Sequence, residues 1–167
     1  MNRPIVILGF MACGKTTVAN ELARRLQCDA IDLDDFIARS EGRGPAQIIQ
    51  QDGEAMFRGI ETMALDHVLK DHDARVIALG GGTWSVAANR NLIARRDCAS
   101  VWLDVPFEVC WSRIELGDTI RPLAPDRDAA QQRFTTRRCD YALARQTISV
   151  APNDSVEQIV ERILRGN

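Results

Sequence analysis

A chain of 167 residues, 46% hydrophobic and 26% charged, has the length and balance of one globular domain with one substantial core. Its net charge of −2 argues against a general attraction to nucleic acid, and no apolar run is long enough to span a bilayer. Five cysteines (Cys13, Cys28, Cys98, Cys110 and Cys139) form no C-x-x-C pair, which points away from a disulfide framework or zinc site and toward reduced thiols in a cytoplasm.

The first element is the continuously apolar run at residues 4–8, containing Ile5-Val6-Ile7-Leu8, as expected of a strand buried on both faces. It is too short for a signal peptide and leads directly into Gly9-Phe10-Met11-Ala12-Cys13-Gly14-Lys15-Thr16, the G-x-x-x-x-G-K-[ST] phosphate-loop pattern. Val18, Leu22 and Leu26 then recur at helical spacing. Strand, glycine loop and helix start place backbone N–H groups and the helix dipole around a phosphate. Residues Gly9–Thr17, with Ala12, Cys13, Gly14, Lys15, Thr16 and Thr17 at its turn, are therefore the expected ATP site. Lys15 should reach the β- and γ-phosphates, and the Thr16 hydroxyl should serve Mg²⁺. Cys13 is read as a small residue filling the loop.

A weaker β-rich run at residues 29–32 ends in Asp32-Leu33-Asp34-Asp35. One carboxylate, at Asp32 or Asp34, is suited to Mg²⁺ and the other to an attacking hydroxyl, with Asp35 as the better helix cap. Residues 34–72 read as an inserted helical layer, broken near Gly42-Arg43-Gly44-Pro45 and Gly53 and carrying Phe57-Arg58 with Glu61 one turn on. On spacing alone Arg58 and Glu61 fit a surface ion pair. A third strand at residues 75–79 runs into Gly80-Gly81-Gly82, whose backbone can closely approach an anion. Further helices are expected at residues 85–96, 106–115 and 128–144, with strands at 99–103 and 146–150. A final helix is capped by Asp154 or Ser155. Residues 116–128, which include Arg121-Pro122-Leu123, carry Gly, Pro and charge with little core signal and read as a mobile loop. An arginine closing from such a loop would stabilise charge on a transferring phosphate. This alternation predicts an α/β fold with a parallel sheet covered by helices on both faces.

The ordered set of phosphate loop, D-x-D at Asp32–Asp34, F-R-x-x-E at Phe57–Glu61, G-G-G at Gly80–Gly82, R-P-L at Arg121–Leu123, and Arg137 four residues before Tyr141 resembles the shikimate kinase family over nearly the whole chain. The resemblance implies the three-layer P-loop kinase fold, a five-stranded parallel sheet flanked by helices with a mobile lid. Residues 1–167 would form one domain, with residues 34–72 as the substrate-binding segment and 113–128 as the lid. It also implies ATP- and Mg²⁺-dependent phosphorylation of the shikimate 3-hydroxyl in aromatic amino-acid biosynthesis. Lys15, Asp34 and Arg121 would be catalytic, with Lys15 and Arg121 on phosphate and Asp34 on substrate hydroxyls as the base. Thr16 and Asp32 would serve the metal, Asp32 through water. Arg58, Arg137 and the Gly80, Gly81 and Gly82 amides would hold the shikimate carboxylate, and Arg113 and Pro152 would flank adenine.

The chain departs from the family pattern at Arg137-Arg138-Cys139-Asp140-Tyr141, where R-x-P-L-Y is usual, at Gly44-Pro45 and Ile49 along the acceptor side, and at Thr83-Trp84. Arg138 therefore competes with Arg137 for the carboxylate. These departures fall on the acceptor half and leave open a related hydroxy acid such as aminoshikimate, a sugar acid or a nucleoside monophosphate. A non-catalytic nucleotide-binding module is the other class. A GTPase would offer N-K-x-D, and no Asn-Lys pair occurs, while Lys15, Asp34 and Arg121 are all present. The expected partner is a small-molecule substrate rather than nucleic acid or membrane, and the expected state is a cytoplasmic monomer.

Overall fold

In the computed structural model, which describes residues 3–71, 75–117 and 121–166, strand β1 (Ile5–Leu8) is buried along its length and pairs in parallel with a strand on each side. Its uninterrupted apolar sequence follows from that central place. The sheet is all parallel, in the order β2 (Ala30–Asp32), β3 (Val76–Ala78), β1, β4 (Ala99–Asp104), β5 (Gln146–Ser149). The two strands with weak sequence signals, β2 and β5, are the edge strands and are only partly buried, so fewer of their positions need to be apolar.

Helices flank the sheet: α1 (Lys15–Leu26), α2 (Leu33–Glu41), α3 (Pro45–Asp52), α4 (Glu54–Asp71), α5 (Ala87–Arg95), α6 (Phe107–Leu116), α7 (Arg127–Tyr141) and α8 (Val156–Arg165). α1 packs on β3 and α8, while α4 gathers α2, α3 and α5. The inserted layer breaks where its turn residues stand. Gly42 and Gly53 take positive φ values of 69° and 87°, and Pro45 opens α3 at its first turn.

Several local expectations are corrected. The cap of α2 is Asp32, whose carboxylate accepts from the Asp34 and Asp35 amides; Asp35 does not cap. The helix expected at 85–96 is a 3-10 turn at Thr83–Ser85 followed by α5. Ser155 caps α8 through a capping box with Gln158, whereas Asp154 accepts from the Ala151 amide and pairs with Arg162. Of the segment read as a lid, residues 113–116 belong to α6 and residue 127 opens α7, while residues 118–120 lie outside the described residues, as does residue 72 of the helical layer.

Because all five strands run parallel, their carboxyl ends share one edge of the sheet. The phosphate loop, Asp32, the three glycines and Asp104 each lie at the carboxyl end of one of these strands. β1 also separates the strands added on either side, which is the switch point where open α/β sheets form their crevice.

Candidate active site

A cleft of about 840 Å³ opens at that edge. One wall is the phosphate loop. Gly9, Ala12 and Gly14 take φ values of 149°, 59° and 98°, which curl the loop back over the start of α1. A Cβ at Gly9 would lie 2.9 Å from both Cys13 Sγ and the Leu103 carbonyl oxygen, so only glycine fits beneath the loop. Cys13 is buried there, as a loop-filling residue should be. Lys15 Nζ donates to the Gly9 and Phe10 carbonyls at 3.2 and 2.9 Å, which holds the ammonium against the loop. Arg113 reaches over from α6 and donates to the Ala12 carbonyl at 3.1 Å. Residues Ala12 through Thr17 line the cleft together with Arg113, whereas Pro152 does not; its neighbours Ala151 and Asp154 do.

The Thr16 hydroxyl donates to Asp32 at 2.5 Å. Mg²⁺ in kinase sites keeps most of its waters and takes one or two protein oxygens together with substrate phosphates. A hydroxyl and a carboxylate in contact at the mouth of a phosphate loop match that donor set, so the residues fit the ion. Asp32 has a second task, since its other oxygen caps α2 and thereby fixes where Asp34 points.

Asp34 lies between the loop and the opposite wall of the cleft. Its Oδ1 is buried and has no hydrogen-bond partner among the described residues, an arrangement that disfavours the charged form unless a ligand supplies a donor. Burial, and then the nearby Asp32 and Glu61 carboxylates, push its carboxyl up to about 6, against the opposing pull of Lys15 and Arg58.

The opposite wall is built on a buried carboxylate that sequence spacing reads as a surface charge. Glu61 is fully buried. It accepts from Arg58 at 2.8 Å on one oxygen and from the Thr83 hydroxyl at 2.6 Å on the other. The Arg58–Glu61 pair is therefore not a surface pair: it aims the guanidinium across the cleft, with Glu54 bracing it at 3.1 Å. Thr83 completes this brace. The missing signal was tertiary, because helical spacing does not reveal which face of α4 meets the glycine turn.

Gly80–Gly82 approach these side chains closely. A Cβ at Gly80 would meet Glu61, Asp34 and Thr83, and one at Gly82 would overlap the Arg58 guanidinium. Replacing Gly82 by Ala should push Arg58 aside without unfolding the chain, since the obstacle is the end of a flexible side chain. The expected result is a rise of about tenfold in acceptor KM, the worth of about one charge-assisted hydrogen bond, with ATP KM unchanged. An unchanged acceptor KM in steady-state kinetics would refute it.

From α7, Arg137 donates to the Gly81 carbonyl at 3.1 Å, and the Tyr141 hydroxyl donates to the same oxygen at 2.5 Å. Arg137 is buried and lines the cleft. Arg138 does not line it; its guanidinium forks onto Asp104 at 2.5 and 3.1 Å. Asp140 faces away from the cleft, 3.9 Å from Arg90, with its carbonyl accepting from the Trp84 indole at 2.8 Å. Arg121, Pro122 and Leu123 line the cleft from above, and the Arg121 Nε is buried with no hydrogen-bond partner among the described residues. Burial pushes Arg121 and Arg137 below the usual arginine range, as expected of cations stripped of water.

Residues 11–166 match the family model for shikimate kinase. The chain belongs to the shikimate kinase family. It is 39% identical to the shikimate kinase of Lactococcus lactis subsp. lactis over 95% of this chain and 94% of that one. It is 31% identical to that of Flavobacterium johnsoniae over 96% of each. Among solved structures, shikimate kinase from Acinetobacter baumannii in complex with shikimate superposes with a TM-score of 0.85 at 30% identity, covering 98% of this chain and 92% of that one. The chain is thus an ATP-dependent kinase, and its five-stranded parallel sheet is that of its shikimate kinase relatives. No helix among the described residues is long and apolar enough to cross a membrane.

Proposed function

We propose that this kinase transfers the γ-phosphoryl group of ATP to the 3-hydroxyl of shikimate, giving shikimate 3-phosphate and ADP. The observation that carries the reading is the orphaned, buried Asp34 Oδ1, placed between the phosphate loop and two arginines, Arg58 and Arg137, that face one cleft. A cyclic polyol acid satisfies both sides at once: its hydroxyls supply donors to Asp34, and its carboxylate suits the two guanidinium groups and the glycine amides.

In this reading Asp34 accepts the proton of the attacking hydroxyl as the new P–O bond forms and the β–γ bridging P–O bond breaks. Lys15 leaves the Gly9 and Phe10 carbonyls for the β- and γ-phosphates. Arg121 closes from the lid onto charge spread over the transferring group. Thr16 and Asp32, the latter through water, would hold Mg²⁺, which would supply positive charge to offset that of the phosphates. Residues Gly9 and Ala12–Thr17 cradle the phosphates. Arg113 is the adenine-side contact; Ala151 and Asp154, which line the cleft, take the place first assigned to Pro152. Arg137 rather than Arg138 is the carboxylate ligand, since Arg138 is committed to Asp104. The chain acts as a single-domain, monomeric enzyme in a cytoplasm, where its five free cysteines stay reduced.

The test is ADP release from ATP and Mg²⁺ with shikimate, quinate, aminoshikimate, gluconate and CMP as acceptors. Turnover with shikimate well above the other acceptors supports the reading. Turnover with one of the others and none with shikimate would replace it.

A further inference from the structure

Arg138 faces away from the cleft, yet it is among the most heavily engaged side chains of α7. Its guanidinium makes a two-pronged contact with Asp104, 2.5 and 3.1 Å long. It also lies over two rings, 5.0 Å from the centre of Trp102 and 5.5 Å from that of Phe134. The backbone of Asp104 is held in the sheet: it ends β4, pairs with Ser149, and its carbonyl accepts from the Val150 amide at 3.0 Å. Trp102 in turn packs on Tyr141, with ring centres 5.9 Å apart.

Ala130, Phe134, Arg137 and Tyr141 form one narrow line along α7, with Phe134 packed on Phe10 and Phe107; so narrow a line leaves the helix's roll to be set by a second attachment beside it. Arg137 and Tyr141, four residues apart, share one face and meet the same Gly81 carbonyl. Arg138 stands next on the helix, about 100° round the axis, and faces the sheet end. A helix held at two adjacent faces cannot roll.

We infer that the Asp104–Arg138 fork sets the rotation of α7 and so aims Arg137 at the acceptor carboxylate, which makes Asp104 and Arg138 positioning residues for acceptor binding. The inference rests on the acceptor reading proposed above.

The experiment compares Arg138→Lys, which keeps the charge and loses the fork, with Asp104→Asn and with the double variant. Steady-state kinetics with shikimate and ATP, thermal melts, and a crystal structure of Arg138→Lys are the readouts. Each single variant should raise acceptor KM about tenfold, and the double variant should be no worse than either, because both remove one interaction. ATP KM and kcat should stay within about twofold, the pattern of a lost binding contact. In the crystal structure Arg137 should have left the Gly81 carbonyl. A lower melting temperature with acceptor KM unchanged, or equal rises in both KM values, would reduce the fork to general stability and overturn the proposal. If Arg138→Lys does not fold, the Asp104→Asn kinetics and structure decide. If the wild-type chain does not turn over shikimate, the acceptor reading fails by itself. The position of Arg137 in the variant structure then decides this proposal alone.

Discussion

The Asp34→Asn variant should turn over roughly 10²- to 10⁴-fold more slowly, the usual worth of a positioned general base, while ATP KM changes little. The same variant should be more stable than the parent at neutral pH. In the folded chain Asp34 is raised to about 6, chiefly by burial and then by the Asp32 and Glu61 carboxylates. An unfolded Asp titrates near its ordinary value, about 3.9. Between these values the folded state binds more protons, so this group's contribution to stability declines as pH rises through the window. Above pH 6 the full penalty is present, on the order of 2–3 kcal/mol. Asn carries no charge to bury and removes that penalty. For a chain of this size the gain is about 2–4 °C in melting temperature per kcal/mol, seen at pH 7.5 and fading toward pH 4. Wild-type kcat/KM should fall as pH drops through about 6, because the protonated carboxyl cannot accept the hydroxyl proton. Undiminished turnover of Asp34→Asn would remove this residue from the chemistry. A melting temperature that does not rise at pH 7.5 would contradict the strained carboxylate.

Arg58→Met should damage binding and stability together. The methionine keeps most of the arginine stem volume but removes the cation facing the cleft. Acceptor KM should rise about ten- to a hundredfold, the range of a lost hydrogen bond between charged groups, with ATP KM little changed. The partner left behind is Glu61, fully buried and then held, among the described residues, by the Thr83 hydroxyl alone. Stranding one member of a buried pair costs about 3–5 kcal/mol, and partial exposure of Arg58 places this case toward the lower figure. Adding Glu61→Gln separates the effects: the neutral amide still accepts from Thr83, so the double variant should recover much of the melting temperature and none of the acceptor affinity. Recovery of both would mean that Arg58 acts only as a counter-ion to Glu61. An acceptor KM unmoved in the single variant would exclude a carboxylate clamp at this position.

The sequence by itself determined a good part of this molecule. Gly9–Thr16 between an apolar run and a helical pattern located the phosphate loop, because the chemistry of that loop lies in local backbone turns and needs no distant partner. The order of apolar runs and helical patterns determined a parallel α/β sheet, since successive strands that run the same way must be joined by crossovers. The D-x-D, F-R-x-x-E, G-G-G and R-P-L segments, read as a set, pointed to the family before any geometry was known.

What only the tertiary structure decided are matters of facing and burial. Glu61 passes for a surface charge until α4 is seen to press it between Arg58 and Thr83. Arg137 and Arg138 are equivalent on paper; the end of β4 claims Arg138 through Asp104 and leaves Arg137 to the cleft. Asp140, next in the same segment, turns away from the cleft toward Arg90. Asp32 serves both α2 and Thr16, a double role invisible in the bare sequence Asp32-Leu33-Asp34-Asp35. The physical reason is the same in each case: a side chain's charge state and direction are set by neighbours brought from far along the chain. Local periodicity reports which face of an element is apolar, not which residue of another element that face will meet.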